Sequence, residues 1–293
     1  MKGAIIINPF FVPTQSVEQA KRLKEEFSAL SVETDIVSDG CTNTFLDGEK
    51  VASPLFSYDF AVYLDKDKYL SEILEKNGVR VFNSHNAIRV CDDKARTYIT
   101  LCGKGLNLPK TVFGALCYDD KEKINEENLK KIAKTLCYPV IVKESYGSMG
   151  KGVYLAENFN SLKEFEEKVK IKPHLFQEYL GKEKGTDYRI IVIGNKVITT
   201  IKRVNKNDFR SNVFQGGKGE KVTLPENYIA AAERASSLLG LDYCGVDIIT
   251  GSDGSPYIAE VNSNAFFFET ERVTGVNVAR LYAEYIIKTL KNR

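Results

Sequence analysis

Two acidic residues and an asparagine in the last fifth of the chain have the types and spacing of a metal site. Asp247 lies in the β-branched run 244–250, and Glu260 and Asn262 follow a Ser-Asp-Gly-Ser turn signal at 252–255. In a hairpin with that turn, Asp247 pairs across from the Glu260 region, while Glu260 and Asn262 project from one face of the sheet. Carboxylate and amide oxygens suit Mg²⁺, which usually also binds substrate phosphates. The pattern predicts a divalent-metal site, with two solvated acids beside a hairpin turn as the alternative.

A glycine-rich turn forms the second chemical feature. Gly147, Ser148, Gly150 and Gly152 belong to a G-x-x-G-x-G run that follows a strand containing Lys143 and leads into another strand. Both the dinucleotide fingerprint and the P-loop lead into a helix, so this run is neither. A glycine-rich turn between strands can fold over nucleotide phosphates, with backbone N–H donors and a lysine behind them. The alternative is a hairpin turn with no ligand.

An apolar strand that stops at a glycine is the third feature, and it contains Gln177, Glu178, Tyr179 and Leu180. An adenine ring needs an apolar slot with a backbone carbonyl and N–H at its edge, which a strand between two domains supplies. Asp187 follows closely and can accept hydrogen bonds from ribose hydroxyls. A buried strand with a surface aspartate is the alternative interpretation.

The elements that must position these residues indicate a mixed fold of class α+β / α/β. The chain has 293 residues, 43% of them hydrophobic and 27% charged, which is enough for two or three domains around one cleft. A β-α-β start is predicted from the strand at 4–7 and the helix behind Ser16. We predict an N-terminal α/β domain at 1–85, a central lobe with the glycine-rich loop at 86–173, and a C-terminal lobe with the metal hairpin at 174–293.

Composition excludes several function classes. The net charge of +2 gives no footprint for nucleic acid, and the basic stretch 202–221 favours a local anion site instead. Six cysteines without a C-x-x-C pair and two distant histidines argue against zinc and favour reduced thiols. No apolar run reaches membrane-spanning length, so we predict a cytoplasmic protein without membrane contact.

Taken in order, these motifs resemble the ATP-grasp superfamily, and they are most similar to its RimK-type branch, the ligases that add glutamate to ribosomal protein S6 and their relatives. The resemblance extends from about residue 80 to the C-terminus. It is carried by Asp93-Lys94, Lys143 with its glycine loop, Gln177-Glu178-Tyr179-Leu180, Asp187, Asp208-Phe209-Arg210-Ser211-Asn212, Gly216-Gly217, Asp247 and Glu260-Val261-Asn262.

The resemblance implies an ATP-grasp fold with an N-terminal βαβ domain, a central domain and a C-terminal domain with an antiparallel sheet. ATP would lie between the two lobes, and the reaction would be carboxylate plus amine plus ATP, giving an amide through an acyl phosphate. The implied roles are Lys94 and Lys143 on phosphates, Glu178 and Leu180 on adenine, Asp187 on ribose, Asp247, Glu260 and Asn262 on two Mg²⁺ or Mn²⁺ ions, and Arg210, Asn212, Arg189 and Lys202 facing the reacting carboxylate and phosphoryl group.

The sequence also departs from its relatives. Many of them have a glycine-containing turn after the Glu-x-Asn run, whereas this protein has three consecutive aromatic residues, Phe266, Phe267 and Phe268. These side chains cannot all be buried in one direction, so some can line an acceptor pocket, although core packing is favoured. The sequence leaves undecided which substrates are used, a peptide or protein tail among them, and whether the protein forms a homo-oligomer. A nucleotide-binding regulatory module and an ATP-grasp kinase are the alternative functions.

Overall fold

The computed structural model describes residues 1–10, 14–181, 184–212 and 216–292. Strands within these ranges are β1 (Lys2–Ile7), β2 (Glu33–Ser38), β3 (Phe45–Leu46), β4 (Val51–Ala52), β5 (Phe60–Leu64), β6 (Arg80–Phe82), β7 (Thr111–Phe113), β8 (Val140–Glu144), β9 (Val153–Ala156), β10 (His174–Glu178), β11 (Thr186–Ile193), β12 (Lys196–Val204), β13 (Lys218–Lys221), β14 (Tyr243–Thr250) and β15 (Pro256–Asn262). The α-helices are α1 (Thr14–Ala29), α2 (Tyr69–Lys76), α3 (His85–Asp92), α4 (Lys94–Leu101), α5 (Glu126–Leu136), α6 (Phe159–Val169), α7 (Glu226–Leu239), α8 (Phe268–Thr274) and α9 (Val278–Lys291). No helix in these ranges is both long and apolar enough to cross a membrane.

The first sheet is parallel, with strand order β2-β1-β5-β6. Its central strand β5 is buried along its whole length, which matches the continuous apolar run of a strand covered on both faces. The predicted β-α-β start is confirmed by the parallel pairing of β1 with β2 across α1. Because parallel strands end at the same edge, Asn8 and Asp65 emerge side by side after β1 and β5, and Asn8 Nδ2 donates to Asp65 Oδ2 at 2.9 Å.

The central sheet is antiparallel, with order β7-β10-β8-β9, and α5 and α6 cover it. Its core is separate from the other cores and includes Leu129, Val142 and Phe176. We predicted the third unit to begin at residue 174, but β10 pairs with β7 and β8 in the central sheet. The unit limits themselves stay a prediction.

The third sheet is antiparallel, with order β13-β12-β11-β14-β15. On one face α7 buries Tyr228, Ala232, Ala235 and Leu239, which recur every three or four residues as a helix stripe requires. Gly240 ends that helix in the left-handed conformation, with φ of 66°. The opposite face of this sheet is therefore the one left to carry polar side chains.

The first and third sheets share a hydrophobic core, in which Phe60 and Phe82 pack with Ile191, Tyr243 and Tyr282. At the boundary of the two sheets, the buried side chain of Asn83 forms hydrogen bonds with three backbone groups. Its Nδ2 donates to Tyr243 O at 2.8 Å and Ser263 O at 2.7 Å, and its Oδ1 accepts from Tyr243 N at 2.9 Å. Buried amides hold position strongly when fully hydrogen-bonded, so this contact fixes the first sheet against the third.

Candidate active site

The third sheet carries a row of polar residues on the face opposite α7. Arg189 is the register partner of Asp247, and Asp247 is in turn the partner of Glu260. Asp187 is the partner of Arg203 on the other side. Directly paired residues share one face of a sheet, so these five side chains project together. The predicted hairpin, with Asp247 opposite Glu260, is confirmed.

A β-bulge interrupts the hairpin at this row. Asp247 pairs with Glu260 but Ile248 pairs with Ile258, so Ala259 is the extra residue. Its carbonyl oxygen accepts a hydrogen bond from the hydroxyl of Tyr98 on α4. Bulges beside functional sites redirect a side chain, and this one sets the direction of Glu260.

Two arginines bind the Asp247 carboxylate. Arg189 forms a bidentate pair with it, with Nη2 2.8 Å from Oδ2, and Arg203 Nη2 lies 3.1 Å from the same oxygen. Burial alone raises the pKa of Asp247, but the two guanidiniums outweigh burial and hold that pKa below its usual value. Arg203 also binds both oxygens of Asp187, with Nε 2.7 Å from Oδ1. The proposed ribose ligand and the proposed metal ligand are therefore linked through one buried arginine.

Lys202, which the sequence predicted as a site residue, and its neighbour Arg203 lie on opposite faces of β12. Lys202 pairs with Tyr188, on the face that α7 covers, and lines neither of the two cavities described below. Neighbouring residues of a strand point to opposite faces, so Arg203 joins the polar row and Lys202 does not. The alternation of Asp187 and Arg189 along β11 was the signal that could have identified Arg203.

The glycine loop has backbone angles that favour glycine, with φ of 138°, 74° and 69° at Gly147, Gly150 and Gly152. At Gly152, a Cβ atom would also lie 2.8 Å from the Glu144 side chain. Two carbonyl oxygens of this loop accept hydrogen bonds from cations. Lys94 Nζ donates to Gly147 O at 2.8 Å, and Arg210 Nη1 donates to Gly150 O at 2.9 Å.

Lys143 lies on β8 beneath this loop. Burial lowers the pKa of its ammonium to about 8, Lys94 adds to the lowering, and Glu260 and Asp247 oppose it. In the part of the protein that the structure describes, no carboxylate forms an ion pair with Lys143. A half-buried ammonium that no carboxylate contacts keeps N–H donors for a ligand, so this position favours an anionic one.

These residues surround a first cavity with an empty volume of about 930 Å³. Apolar side chains form one end of it, among them Ile141, Val153 and Ile249. Of the eighteen site residues predicted from the sequence, the following line this cavity: Lys94, Lys143, Gly147, Ser148, Gly150, Gln177, Glu178, Tyr179, Leu180, Asp187, Arg210, Asn212, Asp247 and Glu260. Gly152 lies next to it in the loop, and Arg189 and Asn262 line a neighbouring cavity.

The strand predicted to bind adenine meets the apolar end of the first cavity. The Glu178 backbone N–H is occupied, since it donates to Lys110 O at 3.0 Å, and the Glu178 Oε1 atom accepts from Lys110 N at 2.8 Å. Among the described residues, none accepts a hydrogen bond from the N–H of Leu180. The edge that stays available to a ligand is thus the segment after β10, rather than Glu178 N–H.

A second cavity, of about 1190 Å³, lies between the carboxyl ends of β1 and β5 and the polar face of the third sheet. Ser148, Asn212 and Glu260 line both cavities and form their junction. Of the three consecutive aromatics, Phe267 is buried in the core, whereas Phe266 and Phe268 line the second cavity. Core packing is confirmed for Phe267, and an acceptor pocket at Phe266 and Phe268 stays a prediction.

The donor set at the junction fits a hard divalent cation. Asp247 and Glu260 supply carboxylates, and Asn262 lies beside them, with Nδ2 3.4 Å from Asp247 Oδ2. Within the described ranges there is no group of three or more His, Cys, Asp or Glu residues that could hold a metal by itself. Two carboxylates and an amide leave coordination positions for phosphate oxygens, which is how Mg²⁺ is commonly bound.

Comparison with solved structures defines the class. A D-alanine–D-alanine ligase from Bacillus anthracis complexed with ATP superimposes with a TM-score of 0.74, at 18% identity, over 100% of this chain and 98% of that chain. A RimK domain ATP-grasp protein from Sphaerobacter thermophilus gives 0.72 at 20% identity, over 98% of this chain and 100% of that one. The fold is that of the ATP-grasp proteins.

Sequence comparison gives the family. Residues 91–286 match the model of the RimK-like ATP-grasp domain. A probable alpha-L-glutamate ligase of Legionella pneumophila is 35% identical over 226 residues, which are 74% of this chain and 70% of that protein. N-acetylaspartylglutamate synthase A of Mus musculus is 34% identical over 235 residues, 80% of this chain, and the match spans 60% of that synthase. The chain belongs to the RimK-like ATP-grasp family.

Proposed function

We propose that this protein is an ATP-dependent carboxylate–amine ligase that forms an amide or peptide bond. The observation that carries the proposal is the Lys143 ammonium, which has no counter-ion among the described residues and faces the same cavity as Asp247 and Glu260. A cation and two carboxylates that can hold Mg²⁺, all lining one cavity, suit the phosphates of a nucleoside triphosphate.

ATP would occupy the first cavity along its length. The adenine would contact the apolar end and the backbone at Leu180, with Gln177, Glu178 and Tyr179 as its surroundings. Asp187 would accept from the ribose hydroxyls with the lone pairs that Arg203 leaves unused. Lys94, Lys143 and the backbone N–H groups of the glycine loop would bind the phosphates.

Asp247, Glu260 and Asn262 would hold Mg²⁺ or Mn²⁺, and we propose two ions between these side chains and the phosphates. When bound, the ions neutralise the charge that develops during phosphoryl transfer. Arg189 would keep the Asp247 carboxylate oriented, because its bidentate contact fixes both oxygens while leaving Oδ1 a further lone pair for a metal.

The reaction would take place where the cavities meet. The γ-phosphoryl group passes from ATP to a substrate carboxylate, which releases ADP and gives an acyl phosphate. An amine then attacks the acyl carbon, a proton leaves the nitrogen, and phosphate departs as the amide forms. Arg210 and Asn212 would steady the transferred group, since a guanidinium at that position offsets charge that appears only in the transition state.

The substrates are proposed from the chemistry that the relatives' names state. N-acetyl-L-aspartate and citrate are candidate carboxylates, and L-glutamate is the candidate amine, free or added to a peptide or protein tail. A homo-oligomer and a cytoplasmic location stay predictions.

The test is ATP turnover with pairs drawn from these compounds and short peptides. We expect ADP and phosphate in equal amounts with the amide, and a hydroxamate when hydroxylamine replaces the amine. A stable phosphorylated product would indicate a kinase, and ATP binding without turnover would indicate a regulatory module. Release of AMP and pyrophosphate would indicate that the intermediate is an acyl adenylate and not an acyl phosphate.

A further inference from the structure

The second cavity adjoins the proposed reaction site, and the proposed binding of ATP in the first cavity leaves it without an assigned ligand. Its wall is built from two units, with Lys66 following β5 of the first sheet and Arg189 on β11 of the third. A substrate in this cavity would reach the junction at Glu260 and would contact side chains of the first unit. The chemistry of that wall can therefore indicate what kind of substrate it accepts.

Three acidic side chains line the second cavity, Asp65, Glu260 and Glu269, and Glu260 is assigned to the proposed metal. Asp65 accepts from Asn8 Nδ2 at 2.9 Å and from Lys66 N at 2.6 Å. Glu269 accepts from Gly219 N at 2.9 Å and from Arg272 at 2.7 and 2.8 Å, so its charge is already paired with a cation of the protein.

Lys66 and Arg189 line the second cavity together with Arg203, and both keep unused donors. Arg189 binds Asp247 through Nε and Nη2, and a guanidinium has five N–H donors. Lys66 Nζ lies 2.8 Å from Asp92 Oδ1, and its side chain is 36% exposed. An ammonium has three N–H donors, so one carboxylate does not satisfy Lys66.

Lys66 is also held in place and kept charged. Asp92 is the last residue of α3, two positions before Lys94, so the ion pair fixes Lys66 to the helix pair that positions the glycine loop. Burial lowers the pKa of Lys66, but Asp92 and the nearby Glu260 outweigh burial and raise it. A positioned ammonium with free N–H groups suits a ligand group that only accepts hydrogen bonds, as an ionised carboxylate does.

We propose that Lys66 is a specificity-determining residue that binds a non-reacting carboxylate of the substrate in the second cavity. The inference rests on the proposed ligase activity. The carboxylate has two sources, the amino-acid acceptor or a second carboxylate of the acyl donor. In either case the first unit, rather than the ATP-grasp lobes, selects a charged substrate over its neutral analogue.

The experiment compares substrates that differ only in one carboxylate. As acceptors we would use L-glutamate, L-glutamine and L-isoglutamine, and as donors N-acetyl-L-aspartate and its side-chain amide. Lys66→Met should lower kcat/KM for the charged compound of one pair about 30-fold or more, mainly through KM, because one charge-assisted hydrogen bond is lost. The neutral compound of that pair should change less than about threefold, and Lys66→Arg should restore most of the preference. The pair that responds identifies the source of the carboxylate.

Controls separate this role from a structural one. Lys76→Met removes an exposed lysine of the same unit and should change nothing. Lys66→Met with Asp92→Asn avoids leaving Asp92 unpaired, so it keeps the test readable if the single variant folds poorly. Equal losses for charged and neutral compounds, or no loss for either, would overturn the proposal.

A binding measurement distinguishes failure of this inference from failure of the ligase proposal. Calorimetric titration of the protein, loaded with Mg²⁺ and a non-hydrolysable ATP analogue, would compare the same charged and neutral compounds without any turnover. Tighter binding of a charged compound that Lys66→Met abolishes supports the inference even if no amide forms. Identical affinities for charged and neutral compounds in the unmodified protein would contradict it.

Discussion

Arg210 donates a hydrogen bond from Nη1 to the backbone oxygen of Gly150 at 2.9 Å, and so connects two segments that lie 60 residues apart. The guanidinium is itself oriented by Asp208, whose Oδ2 lies 2.7 Å from Nη2. Arg210 is therefore held between Asp208 and the glycine loop. A group pre-positioned in this way loses little freedom when charge develops beside it.

Removing Arg210 should slow phosphoryl transfer more than it weakens nucleotide binding. For Arg210→Ala we expect a loss of roughly a thousandfold in kcat, as for other transfer arginines, with formation of ADP and hydroxamate falling together. The kcat of Arg210→Lys should be intermediate, because lysine keeps the charge but lacks the planar guanidinium that forms two parallel hydrogen bonds. Arg234→Ala, on the far side of the third sheet, is the control, and an unchanged kcat in Arg210→Ala would exclude the assigned role.

Glu260→Gln should abolish turnover without unfolding the protein. The exchange keeps the side chain's size but removes one anionic oxygen from the proposed metal site, and we expect a loss of at least about a hundredfold in kcat. Thermal melting should change by little, since Glu260 is partly exposed. Glu220→Gln on the same sheet is the matched control, and normal Mg²⁺-dependent activity in Glu260→Gln would remove that residue from the site.

The lowered pKa of Lys143 predicts how the stability of the ligand-free protein depends on pH. The pKa of Lys143 is about 8 in the folded protein, against an ordinary value of 10.5, so the unfolded protein binds more protons between these limits. Stability should therefore rise with pH from about 8 to about 10.5, by up to about 3 kcal/mol. Denaturant titrations of Lys143→Met should lack this rise, whereas the exposed Lys134→Met should keep it.

The same lysine should make nucleotide binding sensitive to pH in the opposite sense. Below about pH 8 the Lys143 ammonium is charged and attracts phosphates, so ATP affinity should decrease as the pH rises through that value. Lys143→Met should bind ATP weakly at every pH. Calorimetry from about pH 7 to about pH 10 would check this, and equal affinities for both proteins would mean that Lys143 does not meet the phosphates.

Arg203→Met should destabilise the protein by about 3–5 kcal/mol, because it leaves Asp187 and Asp247 buried with fewer partners. Adding Asp187→Leu should recover part of that loss, since the second change removes one of the uncompensated charges. Denaturant unfolding of the single and double variants measures both effects. A double variant as unstable as the sum of its parts would show that the pair is not energetically coupled.

Sequence reasoning located the hairpin because turn residues, β-branched strands and the Asp247–Glu260 spacing are all local. The resemblance implied a role for Lys202 and did not single out Arg203, because the face of an isolated strand is not fixed until its neighbours are known. Lys66 was missed for a different reason. Its partner Asp92 lies beyond α2 and β6, and only the packing of the first sheet on the third brings both near Glu260.

The Asn83 contacts and the shared core join the first and third units into one body. The central sheet meets that body at its glycine loop, where Lys94 and Arg210 donate to the carbonyl oxygens of Gly147 and Gly150. Both cations are also proposed to contact phosphate, so a nucleotide would compete with the loop for their N–H groups. The loop carbonyls would thus act as surrogate phosphate oxygens that keep both cations in place until the nucleotide replaces them.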